Sequence, residues 1–461
     1  MRPYLLIDFG STYTKVTALD LAKPAVLGLA RALTTAEEGL AVGYRRALEQ
    51  LAKEVGRLSY EARWACSSAA GGLRLVAIGL VPELTVEAAK RAALGAGARV
   101  VGTYSYELTP SDLEEILALK PDLVLLAGGT DGGNQSVLRY NGRLLAASPL
   151  TAPLILAGNR TVAPEVEAML KQAGKICYRV PNVLPTLDRL NLKPVQEKIR
   201  EVFFARIIRA KGLAEVEREI DGILMPTPAA VLAAAERLAT GPGHGQGGWG
   251  DLLVVDVGGA TTDVHSVAEG RPTRPQVFLS GLPEPKVKRS VEGDLGMRVS
   301  AAALLEYFTP PVVAALSGLP EEKVIALIQA RAGNPAYLPA DPEDQHLETV
   351  LGYLAVKGAT ERHVGRLERV YSPQGVCYLQ EGKDLTGMPT VIGTGGVLVH
   401  SPAARRILTG VLPAPDRPDL LKPQSPRFYL DQYYLFPAIG LIAKKYPDIS
   451  FCLLEKALKQ V

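Results

Sequence analysis

Residues Tyr4 to Val16 read YLLIDFGSTYTKV. An apolar run, Leu5 to Ile7, ends on an acid, Asp8. A turn of glycine and hydroxyl residues follows at Gly10, Ser11 and Thr12, and the chain leaves through Thr14, Lys15 and Val16. Two strand-forming runs joined by such a turn predict a β-hairpin whose tip gathers a carboxylate, a glycine, hydroxyls and a lysine. A second stretch, Leu252 to Val267, reads LLVVDVGGATTDVHSV. Laid over the first, Asp8 falls on Asp256, Gly10 on Gly258, Ser11 on Gly259, Thr14 on Thr262, Lys15 on Asp263 and Val16 on Val264.

The chemistry follows from the residue types. Consecutive glycines and small hydroxyl residues turn several backbone N–H groups toward one point, a concavity that suits phosphate oxygens. Phosphate contacts are therefore expected at Gly10, Ser11, Thr12, Thr14 and Lys15 in the first copy. In the second they are expected at Gly258, Gly259, Ala260, Thr261 and Thr262. Lys15 adds a compact positive charge able to reach a β- or γ-phosphate. Asp8 and Asp256 are hard oxygen donors at the ends of two buried strands. Magnesium is commonly held by one or two such carboxylates together with water and substrate phosphates. Two hairpins facing each other across a cleft would clamp a nucleotide triphosphate with its Mg2+ between them, and phosphoryl transfer needs mainly that positioning and charge neutralisation. Asp8, Asp256 and Asp263 are the candidate catalytic residues. Asp263 stands where the first copy has Lys15, and reads equally as a group positioning water or metal or as a satisfied surface aspartate.

A third element, Val391 to His400 (VIGTGGVLVH), is a strand, a glycine turn and another apolar run. After two phosphate hairpins, Gly393, Thr394, Gly395 and Gly396 are expected to bring the backbone close to an adenosine. A fourth, Leu126 to Asn134 (LAGGTDGGN), carries Asp131, which suits either a ligand contact or a tight turn at a sheet end. The glycine-rich Pro242–Gly250 reads as a surface connector.

Composition bounds these readings. At 461 residues the chain has room for about three domains. It is 47% hydrophobic and 21% charged, enough to bury a large core. A net charge of +3 and 6% aromatic residues argue against nucleic acid and an anionic membrane as partners. Cys66, Cys177, Cys377 and Cys452 are scattered, with no CxxC pair to hold zinc or a cluster. His244, His265, His346, His363 and His400 show no metal-like spacing and are expected to be structural. Asp8 breaks the N-terminal apolar run too early for a signal peptide, and no stretch reaches the ~18 apolar residues of a membrane span. A cytoplasmic protein is expected.

Between the hairpins, short apolar runs alternate with helical patterns. Strands are expected at Leu73–Leu80, Ala98–Tyr104, Leu123–Ala127, Leu154–Ala157 and Ile176–Val180, with helices at Leu40–Leu58, Val86–Gly95, Leu113–Leu119 and Pro164–Ala173. This alternation predicts a mostly parallel sheet and a separate α/β module at about residues 60 to 185. Further helices are expected at Val195–Gly212, in Ile223–Gly241, and at Tyr434–Lys445 with a close-packing Gly440. Asn334–Asp344 and Pro413–Pro426 read as loops.

The order of these elements resembles the superfamily of actin, heat-shock chaperones and sugar kinases. Leu5–Val16 and Leu253–Val264 resemble its two phosphate motifs, and Val391–Val399 its adenosine motif. Pro226–Leu238 and Pro437–Ala443 resemble its two connecting helices. The resemblance implies duplicated actin-like, ribonuclease H-like α/β lobes with an inserted α/β module. Lobe I would span 1–59 and 186–250, the insert 60–185 and lobe II 251–461. One departure is that Met225 stands where the chaperone branch has a glutamate before its Pro-Thr. The polarising carboxylate then comes from elsewhere, or hydrolysis is slow. Within the superfamily, IDFGSTYTK, LLAGGTDGGN, VDVGGATTDVH, SVEGDLGMR and IGTGGVL together resemble the MutL/GlmL family, which is unrelated to the mismatch-repair protein of similar name. That resemblance implies an ATP-driven reactivating chaperone of an adenosylcobalamin-dependent mutase of the glutamate mutase type. A small-metabolite kinase, an activator of radical dehydratases and an actin-like filament share the general frame. The scattered cysteines argue against the activator, and nothing in the chain marks a filament's self-association surface.

Overall fold

The computed structural model describes residues 2–461 apart from positions 11, 35–39, 69–72, 188, 210–215, 217, 218, 244–246, 283 and 374. Ser11 and His244 thus lie outside the described residues, as does part of the glycine-rich connector. The chain divides into two compact units, Met1–Ala69 with Lys211–Val461, and Ala70–Ala210.

Strands β1 (Pro3–Phe9), β2 (Tyr13–Asp20), β3 (Ala25–Leu33) and β4 (Ala62–Ser67) open the chain. The second unit holds β5 (Arg74–Gly79), β6 (Arg99–Ser105), β7 (Leu123–Leu126), β8 (Leu154–Leu156) and β9 (Cys177–Arg179). Back in the first unit come β10 (Ile223–Pro226), β11 (Leu252–Val257), β12 (Thr262–Val267), β13 (Val277–Ser280) and β14 (Val287–Glu292). The chain ends with β15 (Arg366–Ser372), β16 (Gly375–Glu381), β17 (Thr390–Thr394), β18 (Arg427–Asp431) and β19 (Leu458–Gln460).

The first unit repeats one sheet design. One sheet runs β3-β2-β1-β4-β10 and the other β14-β12-β11-β17-β18, with β19 added at the edge. In each, the first three strands in order of the chain form an antiparallel meander. The fourth then lies parallel beside the first, and the fifth parallel beside the fourth. The hairpin registers match as well, with Asp8 opposite Lys15 and Asp256 opposite Asp263. Both turns close with the same bond: Gly10 N donates to Tyr13 O at 3.1 Å and Gly258 N to Thr261 O at 2.9 Å. A Cβ on Gly10 would stand 2.6 Å from Tyr13 O, so this tight turn demands glycine. A small sheet, β13-β16-β15, completes the strands of this unit.

Two helices cross between the sheets. Thr227–Thr240 begins with Pro228 in its first turn, where a missing N–H costs nothing. Phe436–Ile442 meets it so closely that a Cβ on Gly440 would fall 1.9 Å from Ala230 O. The expected close packing at Gly440 is therefore a backbone-to-backbone contact. Ala230, Ala234, Leu238, Phe436 and Ile439 share one core with Tyr4 and Leu6 of β1 and Leu252 and Val254 of β11.

The longest helix among the described residues, Pro342–His363, lies where a loop was expected at its start. Asp341 Oδ1 caps it by accepting from Asp344 N at 2.8 Å. It is buried nearly all round, so it lacks the one-sided apolar stripe by which surface helices are read.

In the second unit all five strands are parallel, in the order β6-β5-β7-β8-β9. Its core is built from Val76, Ile78, Val124, Leu126, Leu154 and Leu156. Asp131 there ties its own loop: Oδ1 accepts from Arg160 N and from Asn182 Nδ2, both at 2.9 Å. That accounts for Asp131 as a turn residue at a sheet end.

Candidate functional site

The two hairpin tips face each other. Thr12 Oγ1 lies 3.1 Å from where a Cβ on Gly259 would stand. Between them opens a cavity of about 350 Å³. Its floor is made by Gly10, Thr12, Lys15, Thr227, Asp256, Gly258, Gly259, Ala260, Thr261 and Asp263, and one wall carries Gly395 and Gly396. Gly395 has φ +95, and a Cβ on it would meet Val257 O at 2.3 Å and Asp256 Oδ1 at 2.8 Å. The third motif thus passes against the second hairpin because this residue has no side chain.

Other expected contacts lie behind this floor. Thr14 is fully buried, its hydroxyl 3.1 Å from that of Thr34, which donates to Gly10 O. Thr262 donates to Leu295 O, and Thr394 to Asp431 Oδ2. Gly393 packs on Leu398 and Leu408. None of these four lines the cavity.

Asp8 is buried at the end of β1. Its Oδ1 accepts from Thr227 Oγ1 at 2.6 Å and from Cys66 Sγ at 3.6 Å. Its Oδ2 has no hydrogen-bond partner, with Lys15 Nζ 3.6 Å away. Lys15 Nζ also stands 3.1 Å above the centre of the Tyr434 ring. Burial lowers the Lys15 pKa while Asp8 and Asp256 oppose that shift. Burial first, then Asp263, pushes the Asp256 carboxyl up to about 7, against the pull of Lys15. Asp263 is buried rather than a surface group. Its Oδ2 pairs with Arg289 Nη2 at 3.0 Å and its Oδ1 has no partner. Asp431, fully buried, accepts from Leu435 N and Phe436 N and so caps the second crossing helix; burial raises its pKa.

Asp256 and Asp263 thus line the cavity beside Lys15, while Asp8 and Asp431 are buried behind the lining. Among the described residues no three His, Cys, Asp or Glu side chains converge on a complete metal cage. The orphaned oxygens of Asp8 and Asp263 and the raised Asp256 instead fit a cation whose shell is completed by a ligand's phosphates and water.

The walls contain residues that the sequence reading missed. Arg298 donates to Tyr337 O and to Glu348 Oε1, and the fully buried Arg331 bonds Glu348 Oε2 and Asp344. Arg298 closes the SVEGDLGMR stretch, whose Met297 N and Arg298 N donate to Gly258 O and Gly259 O of the second tip. Across the mouth, Arg31 bonds His400 Nε2, so His400 lines the cavity instead of serving a core. Burial, together with Arg31 and Lys15, lowers the His400 pKa.

Paired sheets of one design, crossing helices and facing hairpin tips define the two-lobed α/β class of actin-like ATPases and sugar kinases. The chain belongs to the MutL family: the profile described as MutL protein matches residues 4–458. It is similar to Protein MutL of Clostridium tetanomorphum, 48% identical over 465 residues and covering 100% of both chains. Among solved structures it is similar to a diol dehydratase-reactivating factor in nucleotide-free form, 12% identical, covering 97% of this chain and 100% of that one, TM-score 0.37. It is also similar to a ligand-bound xylulose kinase from Lactobacillus acidophilus, 10% identical, covering 100% and 93%, TM-score 0.35. Both overlaps are loose, and the fold is defined by the chain's own strand order. No helix among the described residues is long and apolar enough to cross a membrane.

Proposed function

We propose that the cavity binds ATP with Mg2+, and that the chain is a reactivating ATPase of an adenosylcobalamin-dependent mutase of the glutamate mutase type. The facing hairpin tips carry the first part, and the resemblance of the motifs to the MutL/GlmL family carries the second. On this reading lobe I is built on the sheet β3-β2-β1-β4-β10 and lobe II on residues 251–461; the insert is Ala70–Ala210 rather than the expected 60–185, because β4 pairs with β1 and so belongs to lobe I. The tip backbones at Thr12 and Gly258–Thr261 receive phosphate oxygens. Lys15 donates to the β- or γ-phosphate, and Gly395 and Gly396 admit the adenosine. Asp8 and Asp256 would hold the metal, which would neutralise phosphate charge and favour the ionised form of Asp256. Asp263, held by Arg289, points its second oxygen at the water that attacks the γ-phosphate. It supplies the carboxylate that Met225 does not. Hydrolysis then shifts one lobe on the other, and that motion loosens the mutase from inactive cobalamin.

Asp8→Ala and Asp256→Ala are each expected to abolish Mg2+-dependent ATP turnover while circular dichroism stays unchanged. Retained turnover in both would exclude the two-hairpin clamp. Recovery of a cobalamin-inactivated mutase on adding this protein, ATP and fresh cofactor tests the client. ATP consumed only with a small acid or sugar, yielding a phosphorylated product, would make the protein a kinase instead.

A further inference from the structure

Tyr434 has no part in the reading above, yet it is built into the floor of the cavity. It is a non-glycine residue with φ +54, a left-handed conformation that a bulky side chain rarely adopts. Such strain persists where the surroundings enforce it. Here Tyr434 N donates to Asp431 O, and Asp431 in turn caps the helix that begins at Phe436. The outcome is an aromatic face turned to the Lys15 ammonium, 3.1 Å from the ring centre.

The position of Lys15 is the second observation. An ammonium beside a buried carboxylate ordinarily closes to a hydrogen-bonded pair at about 2.7–2.9 Å. Lys15 Nζ stays 3.6 Å from Asp8 Oδ2, and that oxygen has no hydrogen-bond partner. The ring face attracts the cation through its quadrupole without neutralising it and without taking its N–H donors along fixed directions.

We infer that Tyr434 is a positioning residue: its ring seats Lys15 away from Asp8, leaving the ammonium free for a phosphate and the carboxylate oxygen free for a cation. This rests on the nucleotide reading of the cavity and assigns the residue that keeps its two opposite charges from cancelling. Without the ring, Lys15 would close on Asp8 and each would block the other's ligand. Tyr434 precedes the second crossing helix, so the seat also links that helix to the first hairpin.

The test compares the full-length protein with Tyr434→Phe and Tyr434→Leu. The first measurement needs no nucleotide. In lysine-labelled protein, with Lys15→Arg giving the assignment, the Lys15 ε-methylene protons should be shifted upfield by the ring. The shift should persist in Tyr434→Phe and vanish in Tyr434→Leu, and its absence in the wild type would overturn the seat. The second measurement is Mg2+-dependent binding of ATP, ADP and AMP by calorimetry. Tyr434→Leu should weaken ATP and ADP by about tenfold and AMP by less than about twofold, with Tyr434→Phe within about threefold of wild type. Equal loss for all three nucleotides, or equal loss in both variants, would overturn the positioning role. A wild type that shows the upfield resonance but binds none of the three would overturn the nucleotide reading and leave the seat standing.

Discussion

His363 is a fully buried imidazole held between two hydroxyls, Ser290 Oγ at 2.9 Å and Ser266 Oγ at 2.8 Å. Burial, joined by Lys288, Lys383 and His265, keeps its pKa well below the usual imidazole range. His265 is held down in the same way by burial and Arg289. Lys383, also fully buried, is pulled to about 7 by burial and Lys288. Each group is neutral in the fold over a range where the unfolded chain carries a proton, so protonation favours unfolding and stability rises with pH. The histidine contribution is lost as pH falls below about 6.5, and the lysine contribution changes between about 10.4 and 7. Thermal melts should therefore climb from pH 5 to pH 9, and Lys383→Met should flatten the part above pH 7. A melting temperature independent of pH over that span would contradict the buried neutral cluster.

The hairpins were legible because strand runs ending in a glycine turn state both the strands and the turn, and the repetition set the register. The same alternation also explains the misplaced contacts. Neighbouring residues of a strand point to opposite faces, so if Lys15 and Asp263 face the cavity, Thr14 and Thr262 cannot. Applied strictly, that rule would have removed both threonines. Arg298 and Glu348 were not legible, because they meet only through the helix Pro342–His363, which buries polar residues such as Asp344 and Glu348 along with its apolar ones and so shows no one-sided stripe to read. The pairing of β4 with β1 is likewise a long-range fact that local pattern does not contain. Where the crossing helices touch, Gly440→Ala would drive a methyl into Ala230 O. Overpacking of this kind costs about 1–3 kcal/mol, and the obstacle here is backbone, which yields little. The variant should melt several degrees lower, while Gly247→Ala, where a Cβ meets nothing, should be neutral.

Each of the two units carries its own core, and the cavity is lined wholly by residues of the first. Residues 70–210 produced alone should therefore unfold cooperatively in denaturant and show no shift with Mg-ATP. In the full chain, ATP at about 100 times its dissociation constant should add about 2.7 kcal/mol to the unit that binds it. Hydrogen exchange at Val254 and Leu6 should slow accordingly, and exchange at Val124 and Leu154 should not. The contact at Gly440 has one more consequence. Two rods that touch at a bare backbone point, with no side chain interposed, have a bearing there instead of a gear. If nucleotide moves the lobes as proposed, that point is the pivot about which the two helices would turn, with Ala234, Phe436 and Ile439 packed around it.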